Sequence, residues 1–277
     1  MDINKVLFIS QEISPYVKDN DMSLASRMLA QGVQEKGIEV RTFMPKYGFV
    51  NARTKQLHEV KRLSGMNLII DDTDHPLVIK VATLQPARLQ VYFIYNEDYF
   101  TPEIVDSSTP RPKELEIYSH PSDNDERSIF YVRGVLETVK KLRWIPAVIL
   151  CSGWITALAP LYIKKFYNDD PSYRDAKVVL SLFDEDLVEP LNEKLAEKLA
   201  FDGFEAEDIE AVVGKAATYL DLMKLAIANC DAVMQCSSNV NEQVLELVKD
   251  SGLPFLPYEE LEPAETVNRA MEFFHSL

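Results

Sequence analysis

Residues 5–24 read KVLFISQEISPYVKDNDMSL, and they predict a buried strand followed by a loop and the start of a helix. The strand, Lys5–Ser10, is a continuous apolar run, which is typical of a strand covered on both faces. In open α/β folds, the junction after such a strand often holds a phosphate against glycine-rich backbone. This junction has no glycine and carries Asp19 and Asp21 instead.

Two interpretations of this junction remain open. A short polar side chain at a helix N-terminus can cap the free amides, and we expect Asp21 or Ser23 to do so here. Asp19 would add repulsion against a phosphate, and the lack of glycine removes the freedom for close backbone approach. The alternative is an altered ligand site that keeps Lys18.

The rest of the chain alternates between strand and helix patterns. Continuous apolar runs predict further strands at residues 39–44, 147–151, 177–182 and 231–236. Apolar residues at helical spacing predict five helices, whose faces carry Leu24, Met28, Leu29 and Val33; Ile129, Val132, Leu136, Val139 and Leu142; Leu158, Leu161, Tyr162 and Phe166; Tyr219, Leu222, Met223 and Ala226; and Val240, Val244, Leu245 and Val248. The alternation predicts an α/β fold with a doubly wound, mostly parallel sheet.

Residues 57–95 interrupt this alternation. Several strand-like runs follow one another there with short polar breaks, which predicts a β-meander insertion. Residues 101–127, rich in polar residues and proline, are predicted to form a surface loop. Since no internal repeat is visible, we expect one domain spanning residues 1–277.

Composition narrows the possible partners and the compartment. The net charge of −15 disfavours nucleic acid and anionic membranes as partners. The longest apolar runs are far shorter than the roughly 18–20 residues that cross a bilayer. MDINKVLFIS lacks the basic stretch and cleavage site of a signal peptide, so we expect it to enter the first strand directly. Three unpaired cysteines indicate a reducing, cytoplasmic setting, while the four histidines lack metal-ligand spacing. We expect no metal and no cofactor, because the common nucleotide-binding loops are also absent.

Several motifs, in order, resemble one enzyme family. KVLFISQEISPYVK and KGIEVRTFMPKYG are similar to the start of bacterial glycogen synthases and plant starch synthases. DNDERSIFYVRGVLE, IPAVILCSGWITALAPLYIK, KVVLSLFDEDL and YLDLMKLAIANCDAVMQCSSNVNEQV resemble later segments of the same family. These matches span most of residues 4–248. The resemblance implies a Rossmann-like domain similar to the N-terminal catalytic domain of these GT-B glycosyltransferases.

The resemblance also implies a function. This family transfers glucose from ADP-glucose to an α-1,4-glucan in a cleft between two domains, and the N-terminal domain chiefly provides the acceptor side. The second domain is not recognisable in this sequence, so we expect a hexosyltransferase-like domain that is not active alone. A second-half glycosyltransferase chain or a homo-oligomer could complete the cleft. The alternatives are a non-catalytic relative that binds glucan or regulates another enzyme, and an enzyme of new chemistry.

Five positions match family site residues and are candidates for binding a glucan or a sugar nucleotide: Lys18, Trp154, Thr156, Lys224 and Ser237. The resemblance implies that Lys18 reaches the donor phosphate. Trp154 could instead be a packing residue, and Lys224 could simply face solvent. No catalytic residue is assigned.

Other matched positions depart from the family. Residues 19–22 replace Thr-Gly-Gly-Leu, Ser152 and Gly153 replace a His-Asp pair, and Phe183 and Asp184 replace His and Asn. Neither Ser152 nor Phe183 can supply the interactions of an imidazole. The carboxylate run of Asp184, Glu185, Asp186 and Glu189 could bind a cation or act as acid and base. We expect it to be a solvated loop that ends the strand.

Overall fold

The computed structural model describes residues 3–101 and 121–277, and its centre is a large mixed sheet. The strands are β1 (Lys5–Ser10), β2 (Glu39–Pro45), β3 (His58–Glu59), β4 (Met66–Ile70), β5 (Thr73–Leu84), β6 (Leu89–Tyr95), β7 (Val148–Ser152), β8 (Lys177–Leu182), β9 (Ala232–Gln235) and β10 (Phe255–Leu256). Across the described residues their order is β10-β9-β8-β7-β1-β2-β6-β5-β3, and β4 pairs with β5.

The strands from β10 to β6 run parallel, in agreement with the continuous apolar runs. Val6, Leu7, Phe8 and Ile9 are each at most 1% exposed. Since successive strand side chains point to opposite faces, both faces of the sheet are covered. The predicted doubly wound α/β fold is therefore confirmed, and the predicted strands agree with the observed ones to within one or two residues at each end.

The β-rich segment forms the antiparallel part of the sheet. β4 pairs with β5, and β5 pairs with β6 along seven residue pairs. β6 then lies parallel to β2, with Thr42 opposite Val91. The predicted meander is therefore present, and it continues the sheet rather than standing apart from it.

The helices are α1 (Asp21–Glu35), α2 (Glu97–Phe100), α3 (Asn124–Lys141), α4 (Ala159–Leu161), α5 (Leu195–Phe201), α6 (Tyr219–Asn229), α7 (Glu242–Ser251) and α8 (Pro263–Ser276). The predicted surface loop falls mostly on residues 102–120, which lie outside the described residues. The loop prediction is wrong for its last four residues, 124–127, because α3 already begins at Asn124. Two carboxylates in the first turn of α3 explain this early start, since they complement the positive end of the helix dipole.

Two helix predictions also need correction. Leu24 does not face the core, because its side chain is 48% exposed. Residues 158–166 do not form one regular helix: α4 is a single turn and passes into a π-helical turn at Tyr162–Phe166. The hydroxyls of Tyr162 and Tyr167 bond Asp202 and Glu137, so both tyrosines point inward. The wider π turn allows two side chains five residues apart to do this.

The core is one hydrophobic cluster that extends from β1 to α8. Helix α3 packs closely on the sheet at Gly134, where an added Cβ would lie 3.0 Å from Cγ2 of Ile94. Cys151, Cys230 and Cys236 are free thiols within this framework. No helix in the described ranges, 3–101 and 121–277, is long and apolar enough to cross a bilayer.

Candidate functional site

The candidate site is the edge of the sheet at which β1, β7, β8 and β9 end. The register pairs Ser10 with Ser152, Ser152 with Ser181, and Leu182 with Gln235, so these four strands end side by side. From β1 the chain continues to β2 on one side, whereas β7, β8 and β9 follow on the other. The point between β1 and β7 is thus the topological switch point, where open α/β sheets place their ligand crevices.

The loop after β1 enters this crevice with Gln11 and Glu12, which are 5% and 6% exposed. The Gln11 amide donates to the Ser152 carbonyl at 2.8 Å, and the Gln11 carbonyl accepts from the Tyr47 hydroxyl at 2.8 Å. The Gln11 side chain reaches the turn after β7, where its Oε1 accepts from the Ile155 amide at 3.3 Å. The switch point is therefore filled by the protein's own glutamine.

Gly153 makes this approach possible. Its φ is +93°, and a Cβ there would lie only 2.4 Å from Cβ of Gln11. Any other residue would meet both the left-handed backbone and the glutamine. Gly153 stands where the family pattern has aspartate, and the close approach of Gln11 explains why a glycine is needed at this position.

The start of α1 is capped by Asn20. Its side-chain oxygen accepts from the Ser23 amide at 2.8 Å, and the Ser23 hydroxyl accepts from the Asn20 amide at 3.0 Å. This is a reciprocal capping box. The expected cap at Asp21 is wrong, since Asp21 is the exposed first residue of the helix, whereas Ser23 contributes as the partner of Asn20. The capping interpretation of the junction is thus correct, with a different capping residue.

The same loop is tied to itself by further side-chain bonds. Asn20 Nδ2 donates to Glu12 Oε2 at 2.5 Å, and the Ser14 hydroxyl donates to Asp19 Oδ1 at 2.7 Å. Asn20 reaches Glu12 because the loop folds back toward the end of β1. Asp19 and Asn20, the two residues that follow Lys18, are consequently both engaged within the chain.

Glu185, which follows β8, is the titratable group of most interest at this edge. Its carboxylate accepts from the Trp154 amide at 3.2 Å and from the Tyr219 hydroxyl at 3.3 Å. Burial of the carboxyl raises the pKa of Glu185 to about 8, and the nearby carboxylates of Glu12 and Asp186 raise it further. The expectation of a solvated loop is wrong for Glu185, because this side chain turns inward and holds the turn after β7.

Three of the five sequence-predicted residues belong to these turns. Trp154 is 3% exposed, and Thr156 is fully buried with its hydroxyl donating to the Gly153 carbonyl at 2.7 Å. Ser237 is 2% exposed, and its hydroxyl accepts from the Asp184 amide at 2.9 Å. The structure therefore brings these three together around the strand ends, where they stabilise backbone turns.

The two lysines lie on the surface. Lys18 is exposed in the loop before α1, with its carbonyl accepting from the Ser23 hydroxyl at 3.2 Å, and Lys224 is exposed on α6. Neither ammonium group forms a hydrogen bond or an ion pair within the part of the chain that the structure describes. Both remain candidates to meet a ligand.

Sequence reasoning missed Gln11 and Tyr219 as site residues, and it considered Glu185 only as part of a carboxylate run that was expected to be solvated. Gln11 could have been found from position alone, because it follows directly on a predicted parallel strand. Tyr219 could not, since its hydroxyl reaches Glu185 only through the packing of α6. No group of three or more His, Cys, Asp or Glu side chains is arranged to hold a metal in residues 3–101 and 121–277.

An open, mostly parallel sheet with a crevice at its switch point defines the class of Rossmann-like ligand-binding domains. Within that class, residues 5–254 match the family model of the starch synthase catalytic domain. Since the match covers most of the chain, the protein belongs to this family.

Individual relatives agree with this assignment. The chain is 31% identical to the glycogen synthase of Chlorobium luteolum over 241 residues, which cover 87% of this chain and 47% of that protein. It is 36% identical to the glycogen synthase of Chlorobium phaeovibrioides over 178 residues, covering 64% of this chain and 35% of that protein. The chain thus spans about half the length of these relatives or less.

A solved structure shows the same fold. The catalytic domain of starch synthase IV from Arabidopsis thaliana, bound to ADP and acarbose, superposes with a TM-score of 0.70 at 16% identity. The match covers 96% of this chain and 53% of that one. The expected GT-B type of fold, of which this chain supplies a Rossmann-like half, is therefore confirmed.

Proposed function

We propose that this chain is a glycogen/starch synthase-type glycosyltransferase domain that does not transfer glucose from ADP-glucose on its own. Family membership supports the type of domain. The lack of transfer by the chain alone is supported by the crevice at the switch point, because its backbone amides already donate hydrogen bonds to side chains of the chain itself.

Three such donors surround the crevice. The Trp154 amide donates to Glu185, and the Ile155 amide donates to Gln11. The Ser23 amide, at the start of α1, donates to Asn20. A diphosphate that used these amides would first have to displace three side chains, each of which would then need another partner.

Charge at the same edge also opposes an anionic donor. Glu12 is buried beside Asn20, and the carboxylates of Asp184 and Asp186 follow β8. Glu185 adds no full charge at neutral pH, because its pKa is raised to about 8. A diphosphate placed among these carboxylates would be repelled at close range in a poorly solvated crevice. Exposed Lys18 and Lys224 are the cationic groups that we propose for contact with a ligand, whereas Trp154, Thr156 and Ser237 would act through the turns that they hold.

In this proposal, transfer requires the second domain of the family, supplied by another polypeptide or another part of the protein. Its arrival would have to reorganise the loop at residues 11–20. We further propose that residues 1–277 form a single domain, because one buried cluster joins β1 to α8. A single cooperative unfolding transition would support this domain assignment.

The second candidate is a non-catalytic relative that binds glucan or regulates another enzyme of glucan metabolism. The closed crevice favours it specifically, because the contacts of Gln11 and Glu185 lie inside this chain and do not depend on a second domain. In that case ADP-glucose would remain unbound even when a second domain is present.

The two candidates differ in a labelling experiment. The chain is incubated with glycogen and ADP-[¹⁴C]glucose, alone and with the separately expressed second domain of the Chlorobium luteolum glycogen synthase. We expect no incorporation by the chain alone and a weak ADP-glucose affinity, with Kd above about 1 mM by calorimetry. Incorporation by the isolated chain would disprove the proposal.

Incorporation only in the presence of the second domain supports a split or incomplete enzyme, and Lys18→Ala should then reduce it. Arg174→Ala is a matched control, since this exposed cation lies outside the crevice. No incorporation in any mixture, together with binding to glycogen, favours the non-catalytic candidate.

A further inference from the structure

A long groove lies between α1 and the segment that leads into α8. It has a volume of about 1010 Å³, and its ends are marked by Asp21 and Cys236 on one side and by Lys36 and Asn268 on the other. We call it the α1–α8 groove. The α1 wall lies within the region that matches the family model, whereas the wall formed by α8 and the segment before it lies beyond residue 254, where that match ends.

Two helices in direct contact define its shape. At Gly32 an added Cβ would lie 2.4 Å from Cγ2 of Val267, so the backbone of α1 touches α8 there. The lining of the groove also includes Asp21, the residue after the Asn20 cap, and Cys236, the residue after β9. The groove therefore opens next to the crevice at the strand ends.

Helix α1 presents two parallel rows of side chains to the groove. Leu24 and Met28, one turn apart, form an apolar floor, and Leu24 is 48% exposed. Arg27, Gln31 and Glu35, each four residues apart, form a polar rim along the same length. An α-helix of 15 residues is about 22 Å long, so the floor and rim suit an extended ligand.

The opposite wall supplies an aromatic ring. Tyr258 is 40% exposed and lines the groove together with Leu261 and Ala264. A tyrosine offers an apolar face and a hydroxyl that can hydrogen-bond, which is an advantage for a ligand with both kinds of surface. Together with Leu24 on the facing wall, Tyr258 gives the groove apolar surface that a ligand could cover.

The charge of the groove identifies the class of ligand. Asp21 and Glu35 are balanced by Arg27 and Lys36, so the lining is neutral although the chain carries a net charge of −15. Arg27 is half-buried, and its guanidinium makes no hydrogen bond or ion pair within residues 3–101 and 121–277. The lining has no net charge that would favour a phosphate-bearing or strongly cationic ligand. A neutral ligand rich in hydroxyls could form hydrogen bonds with Arg27, Gln31 and Glu35 on successive turns of α1.

We propose that the α1–α8 groove binds a neutral α-glucan chain. The C–H faces of the sugars would lie on Leu24, Met28 and Tyr258, and the hydroxyls would bond to Arg27 and Gln31. This inference rests on the proposed function, because that function brings glucan to the protein. It adds a location outside the crevice, and it holds for either of the two candidate functions.

The test is affinity electrophoresis of the full chain in native gels that contain glycogen, with titration of maltoheptaose by calorimetry. Tyr258→Ala removes the aromatic wall, and Ala264→Trp fills the groove without deleting a contact. Phe201→Ala is the control, because Phe201 is 55% exposed and lies outside the groove. Thermal unfolding of each variant verifies that it is folded.

We expect Tyr258→Ala and Ala264→Trp to weaken glucan binding by about tenfold, and Phe201→Ala to bind like the unaltered chain. Unchanged binding in both groove variants, or no retardation of the unaltered chain by glycogen, would overturn the inference. Neither result would affect the first candidate function, which is tested separately by ADP-glucose binding and label incorporation, whereas a lack of retardation by glycogen would also count against the glucan-binding form of the second candidate.

Discussion

Gln11 and Gly153 lie in van der Waals contact across the switch point of the sheet, so closely that a Cβ on Gly153 would be 2.4 Å from Cβ of Gln11. This contact joins the loops after β1 and β7, and it positions Gln11 Oε1 at the Ile155 amide. The crevice is closed by backbone proximity as well as by side-chain hydrogen bonds.

We therefore expect Gly153→Ala to lower the free energy of unfolding by about 3 kcal/mol, since it combines backbone strain with overpacking. Gly203 is a matched control: its φ is also positive, at +100°, but nothing lies within 4 Å of an added Cβ. Gly203→Ala should lower the free energy by only about 1 kcal/mol. Urea denaturation of both variants measures the difference, and equal losses would show that the Gln11 contact carries no energy.

The raised pKa of Glu185 predicts a pH dependence of stability. Its pKa is about 8 in the folded chain against an ordinary 4.5, so the folded state holds this proton more tightly. Its contribution to stability is therefore complete below about pH 4.5 and is lost as the pH rises toward 8. Glu185→Gln keeps the hydrogen-bond acceptor for Trp154 and Tyr219 but removes the titration.

Relative to the unaltered chain, Glu185→Gln should become progressively more stable between about pH 5 and pH 9, by about 4 kcal/mol in total. Glu189→Gln serves as the control, because Glu189 follows the same strand and is exposed. Chemical denaturation at several pH values provides the two difference curves. A flat difference for Glu185→Gln would mean that Glu185 is ionised in the crevice at neutral pH.

The cap of α1 offers a third prediction. Asn20→Ala removes the bond to the Ser23 amide and the bond to Glu12, so we expect a loss of about 1–2 kcal/mol in the free energy of unfolding. Asp21→Ala removes only a favourable interaction with the helix dipole, and about 0.5 kcal/mol is expected. If Asp21→Ala costs more than Asn20→Ala by urea denaturation, the cap assignment is incorrect.

Continuous apolar runs predicted the parallel strands well. A strand that is buried on both faces needs apolar side chains at successive positions, as in KVLFIS and KVVLSL. The choice of cap was less accessible. Residues 19–23 contain several capping side chains in a row, and Asn20 is selected by Glu12, eight residues earlier, which binds its amide. A local pattern does not contain that contact.

The same limit applies to Leu24 and to Glu185. Leu24 has the spacing of a core residue, yet α1 carries apolar side chains on two rows, and one of them faces the groove beside α8. Glu185 sits in a run of acidic residues typical of a solvated loop, but Tyr219 from a distant helix and the Trp154 amide draw it inward. In both cases contacts with residues distant in sequence determine where the side chain lies, and a local sequence pattern does not contain them.

A buried ion pair provides the fourth prediction. Lys198 is 4% exposed, and its ammonium lies 2.6 Å from Asp125 Oδ2 and 2.7 Å from Glu126 Oε1. Lys198→Met would leave the fully buried Asp125 without its cation, and we expect a loss of about 3–5 kcal/mol. Lys165→Met is the control, since its pair with Asp208 is 2.7 Å long but Lys165 is 46% exposed, so less than about 1 kcal/mol is expected.

The pH dependence and the additional substitution Asp125→Asn show whether Lys198→Met destabilises the fold through the lost ion pair or through lost packing. Burial already raises the pKa of Asp125, and removing Lys198 would raise it further. The penalty of Lys198→Met should therefore shrink at low pH, where Asp125 becomes neutral, and Asp125→Asn should recover part of the loss at neutral pH. Denaturation of the single and double variants measures both effects. A penalty independent of pH that Asp125→Asn does not relieve would indicate that Lys198 stabilises α3 through the packing of its aliphatic stem alone.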